Sequence, residues 1–247
     1  MYTNNTYGDA FADVYDEWYH DIDVIDDCVD FLLQLAAGGE ALELGVGTGR
    51  VAIPLAARGA EFGMLVTGID SSKEMLKRLE SKQSHGALVH AVEGHMVRDM
   101  PDGQFGVVLL AYNTLFNLLS AEEQRECLRE SESRLAPGGH VVVDCFVPTN
   151  ELPNVVAPHV LRTTAHGVVT SEATVMDDGQ RVDGVLTEVF DDGRRIAHPW
   201  SIRYASVAQI DDMALSVGLK CEQRWSSYAR DNFTDESSRH ISVYGRR

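Results

Sequence analysis

The chain has 247 residues, 44% of them hydrophobic, and a formal net charge of −17. That length holds one large α/β domain or a domain with an insertion, and the acidity excludes partners whose binding rests on Lys and Arg against a phosphate backbone. No apolar run reaches the length of a membrane span, Met1-Tyr2-Thr3-Asn4-Asn5 lacks a basic-then-apolar leader, and Cys28, Cys127, Cys145 and Cys221 form no CxxC pair, so nucleic acid, membrane and metal are set aside and a reducing cytoplasm is expected.

Tyr7, Phe11, Tyr15, Trp18 and Tyr19 recur at helical spacing and fall on one face. Two readings stand: an aromatic stripe packed on the core, or a lid with Tyr15 or Tyr19 turned toward a ligand. A second helix is expected from Ile22 to Leu35, stopped by Gly38-Gly39. Ala41 to Leu44 reads as a buried strand, followed by Gly45-Val46-Gly47-Thr48-Gly49, a loop with few side chains that a ligand can approach closely. From Arg50 the pattern turns helical through Val51, Ile53, Leu55 and Ala56, ending at Arg58-Gly59. Met64 to Ile69 is a second strand with Asp70 at its tip. An acid there accepts bonds from two neighbouring ribose hydroxyls.

Ser71 is placed as the cap of a helix beginning Ser72-Lys73-Glu74. Leu88 to Val92 is a third strand, followed by Gly94-His95-Met96. Phe105 to Leu110 is a fourth, apolar throughout as in a sheet covered on both faces. It runs into Ala111-Tyr112-Asn113-Thr114-Leu115-Phe116-Asn117. A helix over Ala121 to Leu135, a Pro137-Gly138-Gly139 turn and a fifth strand, His140 to Phe146, follow.

At Val147 the rhythm changes. Pro148, Pro153 and Pro158 mark an irregular link. Extended segments follow at His159 to His166, Val168 to Met176, Arg181 to Phe190 and, less regularly, Arg194 to Tyr204. Asp177-Asp178-Gly179 and Asp191-Asp192-Gly193 are hairpin signals. Ser206 to Val217 returns to helix, and Leu219 to Trp225 and His240 to Tyr244 are the last strands. The expected domains are residues 1–147, lid helices and α/β core; 148–205, an inserted antiparallel sheet roofing the substrate; and 206–247, the closing helix and strands.

Glu43-Leu44-Gly45-Val46-Gly47-Thr48-Gly49, Asp70 and the Leu135-Ala136-Pro137-Gly138-Gly139 turn together resemble the class I S-adenosylmethionine-dependent methyltransferases. The resemblance runs from Tyr7 to the C-terminus. It implies a Rossmann-like seven-stranded sheet with helices on both faces and an antiparallel meander inserted after strand five. It also implies S-adenosylmethionine as cofactor, with Glu43 orienting its amino group, Gly45, Gly47 and Gly49 admitting its methionine part, and Asp70 binding ribose. Arg50, Ala111 and Asn113 would complete the cofactor contacts, and Tyr15 would cover them. Where relatives carry an acid for the adenine amino group, this chain has His95. Either its imidazole accepts that bond or Met96 supplies backbone contacts. A dinucleotide dehydrogenase requires G-x-G-x-x-G, and Arg50 occupies its last glycine position; a binder without activity is the other rival.

The aromatic segment, the Asn113-Thr114-Leu115-Phe116 turn and the inserted sheet resemble bacterial N-methyltransferases of secondary metabolism, which act on amino sugars or peptide N-terminal amines. That implies a small-molecule or short-peptide amine acceptor; a hydroxyl acceptor is the alternative. Tyr19, Tyr112, Asn117, Trp200 and Arg203 are the expected substrate contacts. His198 as proton acceptor and Tyr204 are the expected catalytic groups. For Trp200, Arg203 and Tyr204 the competing reading is sheet packing and surface charge.

Overall fold

The computed structural model describes residues 6–19, 25–83, 89–148, 155–176 and 179–247. Chain order is α1 (Thr6–Phe11), α2 (Tyr15–Trp18), α3 (Ile25–Ala36), β1 (Glu40–Leu44), α4 (Ala52–Gly59), β2 (Val66–Asp70), α5 (Lys73–Lys82), β3 (Val89–Glu93) and β4 (Phe105–Leu110). It continues with α6 (Ala121–Ser133), β5 (Leu135–Phe146), β6 (Val155–Thr164), β7 (Gly167–Val175), β8 (Arg181–Phe190), β9 (Arg195–Arg203), α7 (Val207–Ser216), β10 (Leu219–Trp225) and β11 (Arg239–Arg246). The expected residues Met1 to Asn5, Ile22, Leu88, Pro153 and Asp177-Asp178 lie outside the described residues.

The seven-stranded sheet has the order β10-β11-β5-β4-β1-β2-β3. β11 runs antiparallel to both neighbours, and the other pairings are parallel. All of β4 is buried, and its side chains alternate. Val107 and Leu109 join α3 and α4 on one face, while Val108 and Leu110 join Leu128 of α6 and Ile210 of α7 on the other. This period-two split is why the strand's sequence is apolar throughout. β1 and β4 are neighbours where the chain changes winding direction, and ligands bind at such a crossing beyond the strand ends.

The second sheet has the order β6-β7-β8-β9, antiparallel throughout. Its fourth strand is regular, contrary to the sequence expectation. Pro158 lies within β6, where an edge strand tolerates a residue lacking an N–H. Gly193 takes φ +87 in the β8–β9 turn, where Phe190 N–H donates to Arg194 O at 3.0 Å.

Three local expectations are corrected. The aromatic stripe is not one helix, because α1 ends at Phe11 and α2 begins at Tyr15. Phe11 and Trp18 pack into a cluster with Met75, Val169 and Leu186, while Tyr15 reaches the pocket described below. The cap of α5 is Ser72, not Ser71: its hydroxyl accepts Met75 N–H at 3.2 Å. The Pro137-Gly138-Gly139 turn is an irregularity inside β5, seen in the shifted pairing Phe105↔Leu135 and Val107↔His140.

Candidate active site

Beyond the ends of β1, β2, β3 and β4 lies a cavity of about 330 Å³. That is within the range that holds a small ligand. Gly45 follows β1 with φ +66, and a Cβ there would stand 2.7 Å from Thr114 Cγ2. The loop and the turn after β4 can approach each other this closely only with glycine. Gly47 N–H donates to Asp70 Oδ2 at 2.9 Å. Asp70 also accepts Ser72 N–H at 2.8 Å, and burial raises its pKa.

Tyr15, Gly45, Gly47, Asp70, His95, Met96, Tyr112, Asn113 and Asn117 all line this cavity. His95 Nδ1 accepts backbone N–H bonds from Val97 at 3.2 Å and Arg98 at 3.4 Å. Burial, first, and then the Arg98 charge lower its pKa, so the ring is neutral. A neutral imidazole that accepts at Nδ1 carries its proton on Nε2. With Nδ1 engaged by its own loop, the neutral His95 ring has a donor at Nε2.

Glu43 and Arg50 sit behind the lining. Glu43 is 5% exposed. Burial pushes its pKa up to about 8, against the opposing pull of Arg50 and the Ala52 N–H. Arg50 Nη1 donates to Tyr19 O at 2.8 Å, and its Cζ lies 3.7 Å from the Tyr112 ring centroid. Glu43 Oε2 and Arg50 Nη2 are buried without hydrogen-bond partners.

Other expected site residues lie elsewhere. A Cβ on Gly49 would meet Ile53 Cδ1 at 2.8 Å, so packing requires glycine there, and Gly49 is outside the cavity lining. Ala111 O is occupied by Thr114 N–H at 3.0 Å. Tyr19 packs against Tyr15 with its ring tilted by 50° and centroids 4.9 Å apart, outside the lining. His198 is 3% exposed, held between Phe11 and Trp18, with Nδ1 2.5 Å from Ala10 O. It is a strut under α1, and its assignment as the substrate's proton acceptor is corrected.

Arg203 donates to Gln124 and Gln180, Tyr204 O–H donates to Gly179 O at 2.7 Å, and Trp200 lies over Gly184. None of these three lines the cavity. Their bonds tie the inserted sheet to α6 and close it on itself, so the packing reading holds.

Sequence reasoning missed Tyr7, Gly8, Ser71, Met75, Thr114, Leu118, Leu119, Glu123, Phe146 and Ile202, which complete the lining. Glu123 had a signal: it stands three residues after Ser120, whose hydroxyl accepts its N–H at 3.1 Å. That cap fixes where α6 begins and so where the carboxylate stands. Ile202 shares its strand alternation with Trp200 and Tyr204, but only the docking of β9 on the Thr114–Asn117 turn selects it. Among the described residues no group of three or more His, Cys, Asp or Glu side chains could hold a metal, and no helix is long and apolar enough to cross a membrane.

Residues 41–139 match the family model described as a methyltransferase domain. The chain is 31% identical over 216 residues to the cypemycin N-terminal methyltransferase of a Streptomyces species, covering 85% of this chain and 84% of that one. It is similar in structure to the CcbJ methyltransferase of Streptomyces caelestis, with 35% identity, a TM-score of 0.90 and 99% of each chain covered. CalS10 of Micromonospora echinaspora, an amino pentose methyltransferase with bound S-adenosylmethionine, shares the fold at 16% identity and a TM-score of 0.67, over 93% of this chain and 96% of that one.

Proposed function

The chain belongs to the S-adenosylmethionine-dependent methyltransferases, and from that premise we propose that it methylates an amine nitrogen of a small molecule, an amino sugar or a short peptide. The observation that carries the acceptor class is the match along 84% of a relative named for methylating an N-terminus.

The residues present fit the cofactor. Glu43 Oε2 and Arg50 Nη2 are buried atoms without partners, suited, once Glu43 is ionised, to the ammonium and carboxylate of an amino acid. A Cβ on Gly47 would have no neighbour nearer than 4.0 Å, which leaves its backbone open to a ligand. Asp70 offers carboxylate oxygens to a ribose diol, and His95 offers Nε2–H to an adenine ring nitrogen, with Met96 beside it. When bound, the cofactor supplies a methyl group activated on a sulfonium for in-line attack.

The chain's own residues do the rest by positioning and by excluding water. Glu123 attracts an incoming ammonium. Leu118, Phe146 and Ile202 dry the cavity and so favour the neutral amine that can attack. Asn113 Oδ1 already accepts Phe146 N–H at 2.7 Å, leaving its amide N–H groups to face the ligands. Asn117 and Tyr112 align the nucleophile, and the amine proton passes to Glu123 or water. Residues 148–205 act as the substrate insertion, with Ile202 as their contribution to the cavity. With net charge −17 and four free thiols, we place the enzyme in a reducing cytoplasm, acting on an acceptor other than nucleic acid.

The test uses matched probes with S-adenosylmethionine and mass spectrometry: a short peptide with a free N-terminus against its acetylated form, and glucosamine against glucose. Methylation confined to the free-amine members is expected. Transfer to glucose or to the acetylated peptide contradicts an amine acceptor.

A further inference from the structure

Tyr112 and Asn113 follow β4 with φ values of 49° and 69°, two successive non-glycine residues in the left-handed region. Each such residue is strained and persists only where surrounding structure holds it. The holder is Asp144 of β5, one residue past Val143, which pairs with Leu110. Its backbone oxygen accepts Asn113 N–H at 2.8 Å, and its carboxylate accepts Tyr112 N–H at 3.1 Å.

Asp144 is 1% exposed, and its charge is met by elements from the far end of the chain. Arg239 of β11 donates through Nε at 2.7 Å to Oδ1 and through Nη2 at 2.6 Å to Oδ2. Tyr228 O–H donates at 3.1 Å. A buried ion pair is a weak stabiliser because desolvation offsets attraction. This one does something else: it spans from the C-terminal strand to the turn that carries cavity residues. The Tyr112 ring lies 5.2 Å from Arg239 Cζ and 3.7 Å from Arg50 Cζ. Arg50 in turn faces the carboxylate of Glu43.

We propose that Asp144 and Arg239 are positioning residues for the cofactor's amino-acid end, acting through the left-handed Tyr112–Asn113 turn and the Tyr112–Arg50 contact. The inference rests on the cofactor reading above. Asp144 fixes the turn, the turn fixes the Tyr112 ring, and the ring sets where the Arg50 guanidinium stands. Asp70, His95 and Met96 line the cavity from the ends of β2 and β3, whereas Tyr112 and Asn113 follow β4.

Two calorimetric probes separate the halves: S-adenosylhomocysteine, which has the amino-acid end, and 5′-methylthioadenosine, which lacks it. Arg239→Gln is expected to weaken S-adenosylhomocysteine about tenfold and leave methylthioadenosine within about twofold, with Arg239→Lys recovering part of the loss. Should Arg239→Gln fail to fold, Tyr228→Phe carries the same test with a loss of about threefold. Equal weakening of both probes in a folded variant marks a merely structural pair and overturns the proposal. Unchanged affinity for both overturns it too. Failure of the unaltered protein to bind S-adenosylhomocysteine overturns the cofactor reading itself.

Discussion

Two carboxylates whose pKa values burial raises differ in their partners. Asp70 accepts backbone N–H groups from Gly47, Ser71 and Ser72 and lines the cavity; Glu43 sits deeper with one oxygen unpartnered. Asp70→Ala is expected to weaken S-adenosylhomocysteine by about 10- to 100-fold, the size of lost charge-assisted bonds. Calorimetry checks this, and Asp70→Asn, which retains an acceptor, should lose less. Burial lifts Glu43 from 4.5 to about 8. Between those values the folded chain holds a proton that the unfolded chain has released, so stability falls as pH rises across that window. In Glu43→Gln the thermal midpoint should fall less between about pH 5 and 8 than in the unaltered protein, with Asp70, shifted the same way by burial, leaving a residual decline. Equal falls in both proteins contradict the assignment. An ammonium on Glu43 also requires its ionised form, so cofactor binding near neutral pH should release a proton, measurable by titration in buffers of different ionisation enthalpy.

At the scale of elements, α1 and α2 pack on β9 of the second sheet through the Phe11–Trp18–His198 cluster. Arg162 of β6 donates to Trp18 O, and Asp13 between the helices pairs with Arg78 of α5. Trp18→Ala is expected to cost about 3–5 kcal/mol in denaturant unfolding, as for a large aromatic removed from a core. His198→Phe keeps the ring packing and should leave the pH–rate profile of methyl transfer unshifted; loss of a titration limb would restore His198 as the base. The element scale is also where legibility divides. The run from Ala41 to Asp70 was readable because a strand, a glycine loop and a helix each leave a local pattern. So was the β8–β9 hairpin, from its Asp-Gly turn. The break between α1 and α2 was not, because an unbroken four-residue spacing carries no sign of a helix end between Phe11 and Tyr15. Nor was the choice of Ile202 over its neighbour Arg203, which depends on how β9 docks against the Thr114–Asn117 turn. The ion pair of Asp144 with Arg239 joins residues far apart in sequence, and only the pairing of Arg239 with Phe146 brings them together.

Over the whole molecule, the seven-stranded sheet lines the cavity from its strand ends, and α1, α2 and the second sheet complete the lining through Tyr7, Tyr15 and Ile202. Ligand that binds only the folded chain stabilises it by about 2.7 kcal/mol at a hundredfold excess over Kd. S-adenosylhomocysteine should therefore raise the thermal midpoint in a concentration-dependent way. The most direct measurement is calorimetric titration with S-adenosylhomocysteine and, separately, NAD, repeated on Asp70→Ala. Binding of S-adenosylhomocysteine that is lost or sharply weakened in the variant, with no binding of NAD, is the predicted result. No binding of S-adenosylhomocysteine, or a preference for NAD, would contradict the assignment of Gly45, Gly47 and Asp70 to this cofactor.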